Sequence, residues 1–295
     1  MMPEHARKNN ERRPVKSLAV TRIYDVMQVD KKAKLGLLIV SIFLLVAIFA
    51  PFLAPYDPNE MTLNMMSAPS YQHLLGTDDL GRDLFSRIIW GTQVSLFVGF
   101  VTVAISLIVG VFLGVWAGYY GGWIDMVIMR YIDLQWAFPN FIIAVYLVAV
   151  FGTGLLNIIV AISLAFLDDF ARVARSMVLS LKEQPFIEAA RVQGTSDFGI
   201  MFKHILPNAM GPITVQASVS ISYAILGEAS LSFLGLGVNV NTPTWGLILA
   251  DGRSFISQAW WLGVFPGLAI MLVVLSINFI GDAVRDAFDV RDSAI

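Results

Sequence analysis

The sequence predicts an all-α membrane protein with six transmembrane helices. Of its 295 residues, 57% are hydrophobic and only 14% are charged, and the mean hydropathy is +0.70. The apolar residues are grouped in long runs that short polar stretches separate. Such runs are typical of membrane spans and not of soluble domains. The formal net charge of −2 gives no indication of a nucleic-acid partner.

The first apolar run, residues 35–55, carries no charge. As a helix it would be about 31 Å long, enough to cross a hydrocarbon core of about 30 Å. A cleavable signal peptide is disfavoured, because the basic region before the run is too long. The small residue at the exit of the run, Ala54, also has Phe52 two positions before it and Pro55 directly after it. Five further runs predict the remaining helices, at about 93–117, 124–151, 155–177, 209–232 and 261–281.

The distribution of Lys and Arg predicts the orientation. Residues 1–34 contain nine of the 20 basic residues, whereas the loops at 56–92 and 233–260 together contain only three. Basic residues are enriched on the cytoplasmic side of membrane proteins. We therefore expect both termini in the cytoplasm and these two loops on the outer side.

These features divide the chain into three parts. Residues 1–34 form a basic cytoplasmic segment, 35–291 a six-helix transmembrane domain, and 292–295 a short tail. Within the transmembrane domain we expect an outer loop at 56–92 and a cytoplasmic loop at 178–208.

The predicted cytoplasmic loop contains the polar stretch "EAARVQGTSDFGIMFKHILPNA", residues 188–209. Pro185 suits the first turn of a helix, and Gly194 suits the position just past its end. Ser196 can cap a second helix, which is expected to stop near Pro207. A short rigid helix with small side chains and polar ends is suited to docking. An ordinary amphipathic loop on the membrane surface is the alternative.

The motif formed by Glu188-Ala189-Ala190, Gly194 and Ile205-Leu206-Pro207 resembles the EAA loop of ABC importer permeases. Further blocks resemble the second permease of dipeptide, oligopeptide and nickel importers. They are "LGTDDLGRDLFSRIIWGTQVSL" (75–96), "AGYYGGWIDMVIMRYIDLQWAFP" (117–139), "EASLSFLGLGV" (228–238), "PTWGLILADGR" (243–253) and "NFIGDAVRDAFDVR" (278–291).

The resemblance implies a type I ABC importer permease fold whose loop forms a coupling helix inserted into a cleft of a separate ATPase subunit. The implied ATPase-coupling residues are Phe186, Glu188, Ala189, Ala190, Arg191, Gly194, Ile205, Leu206 and Pro207.

The same resemblance implies the partners, the cofactors and the location of the chain. Its expected partners are a homologous second permease, one or two ABC ATPase subunits, an extracytoplasmic substrate-binding protein, membrane lipid and a peptide substrate. ATP and Mg would be used by the ATPase subunits, with no cofactor bound by this chain. The expected location is a bacterial or archaeal cytoplasmic (inner) membrane.

Six charged residues fall within predicted spans: Arg130, Asp133, Asp168, Asp169, Arg172 and Glu228. Charges in a membrane are costly and usually face a cavity or one another. From helical spacing we expect Arg130 to pair with Asp133, and Asp168 or Asp169 to pair with Arg172. Glu228 has no local cation, so it would hydrogen-bond to Ser or Tyr groups or line the path. Structural ion pairs are favoured over a proton relay.

Small residues recur every three or four positions in two predicted helices. They are Ser106, Gly110, Gly114 and Gly118 in one helix and Ser220, Ala224 and Gly227 in the other. Such stripes allow membrane helices to approach closely. Packing within this chain and contact with a partner permease are both consistent with the pattern.

Other kinds of site are disfavoured. The absence of cysteine excludes disulfides and thiolate sites, and there is no P-loop motif for ATP. Asp78, Asp79 and Asp83 lack the spacing of a calcium loop. Instead, Thr77 or Asp78 is expected to cap an amphipathic segment on the outer surface. The alternative function is a self-sufficient secondary transporter or channel, but no internal repeat or carboxylate relay supports it.

Overall fold

The computed structural model describes residues 29–239 and 241–289, and within these residues the protein is helical and forms no strand. Most of the basic segment 1–34 and the tail 292–295 lie outside the described residues. The helices of eight or more residues are α1 (Lys31–Ile48), α2 (Leu84–Tyr120), α3 (Gly122–Trp136), α4 (Asn140–Phe151), α5 (Leu155–Ala165), α6 (Leu167–Leu181), α7 (Pro185–Val192), α8 (Leu206–Phe233), α9 (Trp245–Gly252) and α10 (Trp261–Asp289). The prediction of an all-α protein is confirmed.

In the described part of the chain, three helical stretches are long and apolar enough to cross a membrane. They are Leu84–Tyr120, Asp197–Phe233 and Trp261–Phe288, and the bent pair α3 and α4 brings the number to as many as four. The chain is therefore a multi-pass membrane protein, while the count of six spans stays a prediction.

The run predicted as one helix at 124–151 is broken. α3 and α4 meet at an angle of 92°. Pro139 lies in the break, where it lacks a backbone N–H and disfavours helical geometry at Phe138. The expectation of one continuous helix at this position was wrong, whereas the crossing of the membrane by this run stays a prediction. The run at 155–177 is also divided, with Phe166 between α5 and α6.

The long helix α2 lies at the centre, and its first stripe of small residues packs within this chain. A Cβ atom added to Gly110 would lie 2.6 Å from the carbonyl oxygen of Leu167, and one added to Gly118 would lie 2.9 Å from Cβ of Val178. The hydroxyl of Ser106 donates to the carbonyl of Ser163 over 2.8 Å. α2 and α6 are thus in backbone contact, and this stripe is not a surface for a partner permease.

The segment "LGRDLFSRIIWG", residues 80–91, mostly forms the buried first turns of α2. Asp83 caps α2, because its carboxylate accepts from the backbone N–H of Ser86 over 2.8 Å. The prediction of a separate surface helix capped by Thr77 or Asp78 was wrong. The loop before it lies against α10, where Trp261 Nε1 donates to the carbonyl of Thr77 over 3.1 Å.

The second helix of the polar loop does not stop at Pro207, as the sequence suggested. A π-helical segment, Ile200–Ile205, joins it to α8, so that the helix is continuous from Asp197 to Phe233. The wider π turn changes the hydrogen-bond register just before the proline. Asn208 Nδ2 also donates to the carbonyl of His204 over 2.6 Å, so a side chain satisfies a backbone group near the proline.

Candidate functional site

The polar loop presents α7 as a short helix with well-formed ends. Pro185 occupies its first turn, and Gly194 follows its end with a φ of +78°. The N–H of Thr195 donates to the carbonyl of Ala190 over 3.0 Å, and the N–H of Gly194 donates to that of Arg191 over 2.9 Å. These two bonds form a Schellman motif, which requires a left-handed residue at Gly194. The predicted helix end is confirmed.

The exposed face of α7 carries Phe186, Glu188, Ala189, Arg191 and Val192. Val192 is 90% exposed and lies on the same helix as the exposed ring of Phe186. A rigid helix with this mixture of apolar and charged groups is suited to contact with another protein surface.

Two of the residues on α7 face inward. Ile187 and Ala190 are buried and belong to the main hydrophobic cluster. Ala190, which the sequence placed on the contact face, therefore anchors α7 to its own chain. The sequence analysis missed Val192 and Phe198, although both are apolar residues in a polar stretch. Phe198 is exposed and packs against Phe202, with ring centres 4.4 Å apart.

The Ile205-Leu206-Pro207 part of the motif belongs to the junction between the π segment and α8. Ile205 is fully buried, Leu206 is partly buried and Pro207 is exposed. Only Pro207 of these three therefore presents its side chain freely to a partner.

The loop is attached to the end of α2 by polar contacts. The hydroxyl of Tyr119 donates to Asp197 Oδ1 over 2.6 Å, and the guanidinium of Arg191 lies 6.0 Å from the centre of the Tyr119 ring. Lys182 Nζ donates to the carbonyl of Gly118 over 3.1 Å. The polar loop is consequently held against the end of the central helix both before and after α7.

The charges within the helices pair across helices and not along them. Arg172 on α6 donates to Asp133 on α3 over 2.9 Å. Arg130 is exposed and forms no ion pair with any side chain of residues 29–239 and 241–289. The predicted pairs Arg130–Asp133 and Asp168 or Asp169 with Arg172 were therefore wrong.

A second cross-helix pair was missed by the sequence analysis. Arg175 on α6 donates twice to Asp125 on α3, through Nε and Nη2, each over 2.6 Å. The two pairs run along one side of α6. They hold α3 antiparallel to α6 and close to it.

A cavity of about 450 Å³ lies where α4, α5, α6 and α8 meet. Its lining residues are Asn140, Phe141, Ala144, Ile162, Phe166, Asp169, Tyr223, Leu226, Gly227 and Ser230. Of the second set of small residues, Gly227 lines the cavity, whereas Ser220 and Ala224 are buried. A role for Gly227 in contact with a partner permease stays a prediction.

The two acidic residues at the start of α6 differ in their surroundings. Asp168 is fully buried, and neither of its carboxylate oxygens has a hydrogen-bond partner among the described residues. Asp169 lines the cavity. The break at Phe166 places both carboxylates near the junction of the four helices.

Glu228 is fully buried and hydrogen-bonded, as one of the two sequence-based alternatives required. The hydroxyl of Ser95 donates to Oε2 over 3.2 Å, and that of Ser232 donates to Oε1 over 2.7 Å. The residue joins α8 to α2 and is not among the residues that line the cavity.

A buried ionic cluster on the loop side opposite α7 was not predicted. Asp78 accepts from Arg82 Nε over 2.6 Å and from Arg87, and both arginines donate to Asp251 Oδ2 over 3.1 Å. Beside it, His73 Nδ1 lies 2.9 Å from Asp83 Oδ1. The cluster joins the loop to the start of α2 and to α9.

A multi-pass helical fold, a cavity between the helices and an exposed helix such as α7 are together typical of the membrane-embedded subunit of a transport system. The chain belongs to the family described as binding-protein-dependent transport system inner membrane component, which residues 110–291 match. Residues 29–72 match the N-terminal TM domain of oligopeptide transport permease C.

Several curated relatives are similar over most of the chain. The dipeptide transport system permease protein DppC of Alkalihalophilus pseudofirmus is 48% identical over 88% of this chain and 86% of its own length. The di/tripeptide transport system permease protein DppC of Pseudomonas aeruginosa is 43% identical, with 88% of each chain covered. The glutathione transport system permease protein GsiD of Pectobacterium atrosepticum is 43% identical over 85% of this chain and 84% of its own.

Among solved structures, the MetNI methionine ABC transporter in an inward-facing conformation is similar with a TM-score of 0.53. The match covers 67% of this chain and 94% of the other, at 21% identity. This similarity confirms the permease fold of a type I importer.

Proposed function

We propose that the chain forms half of a translocation path that imports small peptides across a cytoplasmic membrane. The single observation that carries the proposal is its 48% identity, over 88% of the chain, to a dipeptide transport permease. Other relatives are named for the transport of di- and tripeptides and of glutathione. All of these compounds are short chains with free ionic ends. Dipeptides and other short peptides are therefore the proposed substrates.

The exposed helix α7 supplies the proposed site of energy input. Separate ATPase subunits, which bind ATP and Mg, dock on residues 185–207, and this chain has no catalytic site of its own. The exposed Phe186, Glu188 and Val192 support a contact that combines apolar packing with charge. A homologous second permease completes the path, and an extracytoplasmic binding protein delivers the peptide.

In this arrangement, α7 faces the cytoplasm and both chain termini lie on the same side. The concentration of basic residues in 1–34 supports this orientation. Closure of the ATPase pair would displace α7, and the displacement would reach the membrane through α6 and α8, between which α7 lies in the chain. Rigid-body movement of packed helices is a common basis for such transitions.

Uptake of a labelled dipeptide, Ala-Ala, tests the proposal. Cells that contain this chain together with its partner permease, ATPases and binding protein should import the dipeptide, and deletion of this chain alone should abolish import. In liposomes, the chain without its partners should neither hydrolyse ATP nor transport. Peptide flux through the lone chain, driven by a proton or sodium gradient, would instead favour a secondary transporter.

A further inference from the structure

The cavity between α4, α5, α6 and α8 is lined entirely by residues in the described part of the chain. Asp169 is the only charged residue among them. Among the described residues, its carboxylate receives no hydrogen bond and forms no direct ion pair, although the charge of Arg172 acts on it from a greater distance. The other polar lining groups are the amide of Asn140 and the hydroxyls of Tyr223 and Ser230. The wall of the cavity therefore carries one acidic side chain and no basic one.

The nearest cation on the same helix is already engaged. Arg172 pairs with Asp133 over 2.9 Å, and its guanidinium lies 4.3 Å from the centre of the Trp136 ring. The neighbouring Asp168 is buried and also lacks a partner. Carboxylates in such surroundings are costly unless a positive charge meets them. This end of α6 thus carries an excess of negative charge beside an open cavity.

The cavity lies at the depth of the middle of the central helix. Ile162 lines it, and the next residue, Ser163, donates to the carbonyl of Thr102 over 3.2 Å. Thr102 is the central residue of the 37-residue helix α2. The rim residue Tyr223 is 58% exposed, so the cavity opens at the surface of the chain and can admit a ligand.

We infer that this cavity receives the protonated amino terminus of a peptide during transport, with Asp169 as its counter-charge. The inference rests on the proposed function and names the group of the substrate that the site recognises. A primary ammonium donates three hydrogen bonds, and the Asp169 carboxylate, the Asn140 amide oxygen and the Tyr223 hydroxyl are available acceptors. The volume of about 450 Å³ suits a small ligand.

The aromatic walls support the same ligand class. The rings of Phe166 and Tyr223 are stacked with their centres 6.5 Å apart, and Phe141 also lines the cavity. Aromatic faces attract cations, most strongly where water is excluded. The carboxyl end of a peptide is disfavoured beside Asp169, because the two carboxylates would repel each other and no cation lines the cavity.

Protection of a single cysteine tests the inference. The native sequence has no cysteine, so Leu226→Cys introduces one reactive thiol on the cavity rim. The purified complex of permeases and ATPases, without binding protein, is labelled with a maleimide in the presence of Ala-Ala or N-acetyl-Ala-Ala. We expect Ala-Ala to slow labelling several-fold and the acetylated peptide to have little effect. Met210→Cys, which is exposed on α8 outside the cavity, is the control position.

Substitutions at Asp169 complete the design. Asp169→Asn should remove protection by Ala-Ala, whereas Asp169→Glu should retain it. Equal protection by both peptides, no protection by either, or undiminished protection in Asp169→Asn would overturn the inference. Protection that follows the phosphatidylethanolamine content of nanodiscs would assign the site to a lipid amine and would overturn it too.

The two proposals fail in different ways. If cells with the complete transport system import no Ala-Ala, the proposed function fails. If import is normal but labelling of Leu226→Cys does not distinguish the free from the acetylated peptide, only the amine subsite fails. The comparison of the two peptides uses native Asp169, so it does not depend on the folding of the Asp169 variants.

Discussion

Gly114 lies directly against the backbone of Ala171, so that the central helix α2 and the helix α6 meet without an intervening side chain. A Cβ atom at Gly114 would also lie 2.9 Å from Cβ of Ala174. This contact is the middle one of three glycine contacts that hold the two helices together. It fixes the distance between the core of the protein and the helix that leads to α7.

Gly114→Ala should therefore destabilise the protein. The added methyl group must push α2 and α6 apart, and such overpacking typically costs about 1–3 kcal/mol. The measurement is the Tm of the purified protein in detergent. Gly267→Ala is the matched control, because a Cβ there meets nothing within 4 Å. Equal Tm values for the two variants would contradict the close contact.

Variants of α7 should lose transport but not membrane insertion. Gly194→Val forces a β-branched residue into a φ of +78°, at a cost of about 1 kcal/mol or more. Glu188→Lys reverses an exposed charge in the proposed contact. We expect normal amounts of both variants, weaker ATPase pull-down and reduced dipeptide uptake. Asn241→Ala, in the loop on the opposite side, is the control. If both α7 variants keep wild-type ATPase binding and uptake, α7 is a surface segment and not the docking site.

The ionic cluster around Asp78 should be a major determinant of stability on its side of the protein. Asp78→Ala leaves two buried guanidiniums with only Asp251, and removal of one member of a buried pair costs roughly 3–5 kcal/mol. We expect a lower Tm and faster proteolysis between α1 and α2. Glu60→Gln, an exposed change in the same loop, should have little effect. Similar proteolysis of the two variants would argue against the cluster as the anchor of the loop.

Asp79 should make the stability of this loop depend on pH. Burial, followed by the nearby charges of Asp78 and Asp251, raises the pKa of Asp79 above its ordinary value of 3.8. Asp79 therefore binds a proton more readily in the folded protein than in the unfolded chain. The contribution of Asp79 to stability is most favourable at low pH and is lost as the pH rises through its pKa in the folded protein.

Asp79→Asn should remove this contribution to the pH dependence. The contribution is measured by thermal unfolding of both proteins from about pH 4 to about pH 7, because a raised carboxyl pKa falls in this range. We expect a higher Tm than wild type near neutral pH and a smaller difference in acid. A difference that increases toward acid would contradict the direction of the pKa shift.

Labelling of introduced cysteines tests the orientation. In intact cells, Asn64→Cys and Asn241→Cys should react with an impermeant maleimide from outside. Thr195→Cys should react only after the membrane is opened, because the polar loop is proposed to face the cytoplasm. External labelling of Thr195→Cys would exclude docking of a cytoplasmic ATPase on α7.

Local sequence signals correctly predicted the end of α7 and the start of the second polar-loop helix. Gly194 and Ser196 act through their own backbone and side-chain geometry, which depends little on the rest of the fold. Pro207 gave a misleading signal, because the π segment before it lets the helix continue. The register of that segment depends on packing that no local pattern reports.

The ion pairs show why the charged site was predicted less well. Helical spacing suggested partners three or four residues apart, but Arg172 and Arg175 pair with residues 39 and 50 positions away. These contacts depend on the antiparallel arrangement of α3 and α6, which in turn depends on the break before α4. The Pro139 signal was present, but a sequence alone gives neither the angle of a break nor its direction.

Helix α6 has the proposed amine site at one end and the ATPase-docking helix at the other. From Asp169 to Lys182 it spans about 20 Å at the ordinary helical rise. Its glycine contacts with α2 allow little bending or lateral movement, so a push on α7 would travel along α6 as an axial shift. Such a shift would move the Asp169 carboxylate relative to Tyr223 on α8 and would weaken the binding of an ammonium group between them. Because α6 is stiff, closure of the ATPases would then coincide with release of the peptide.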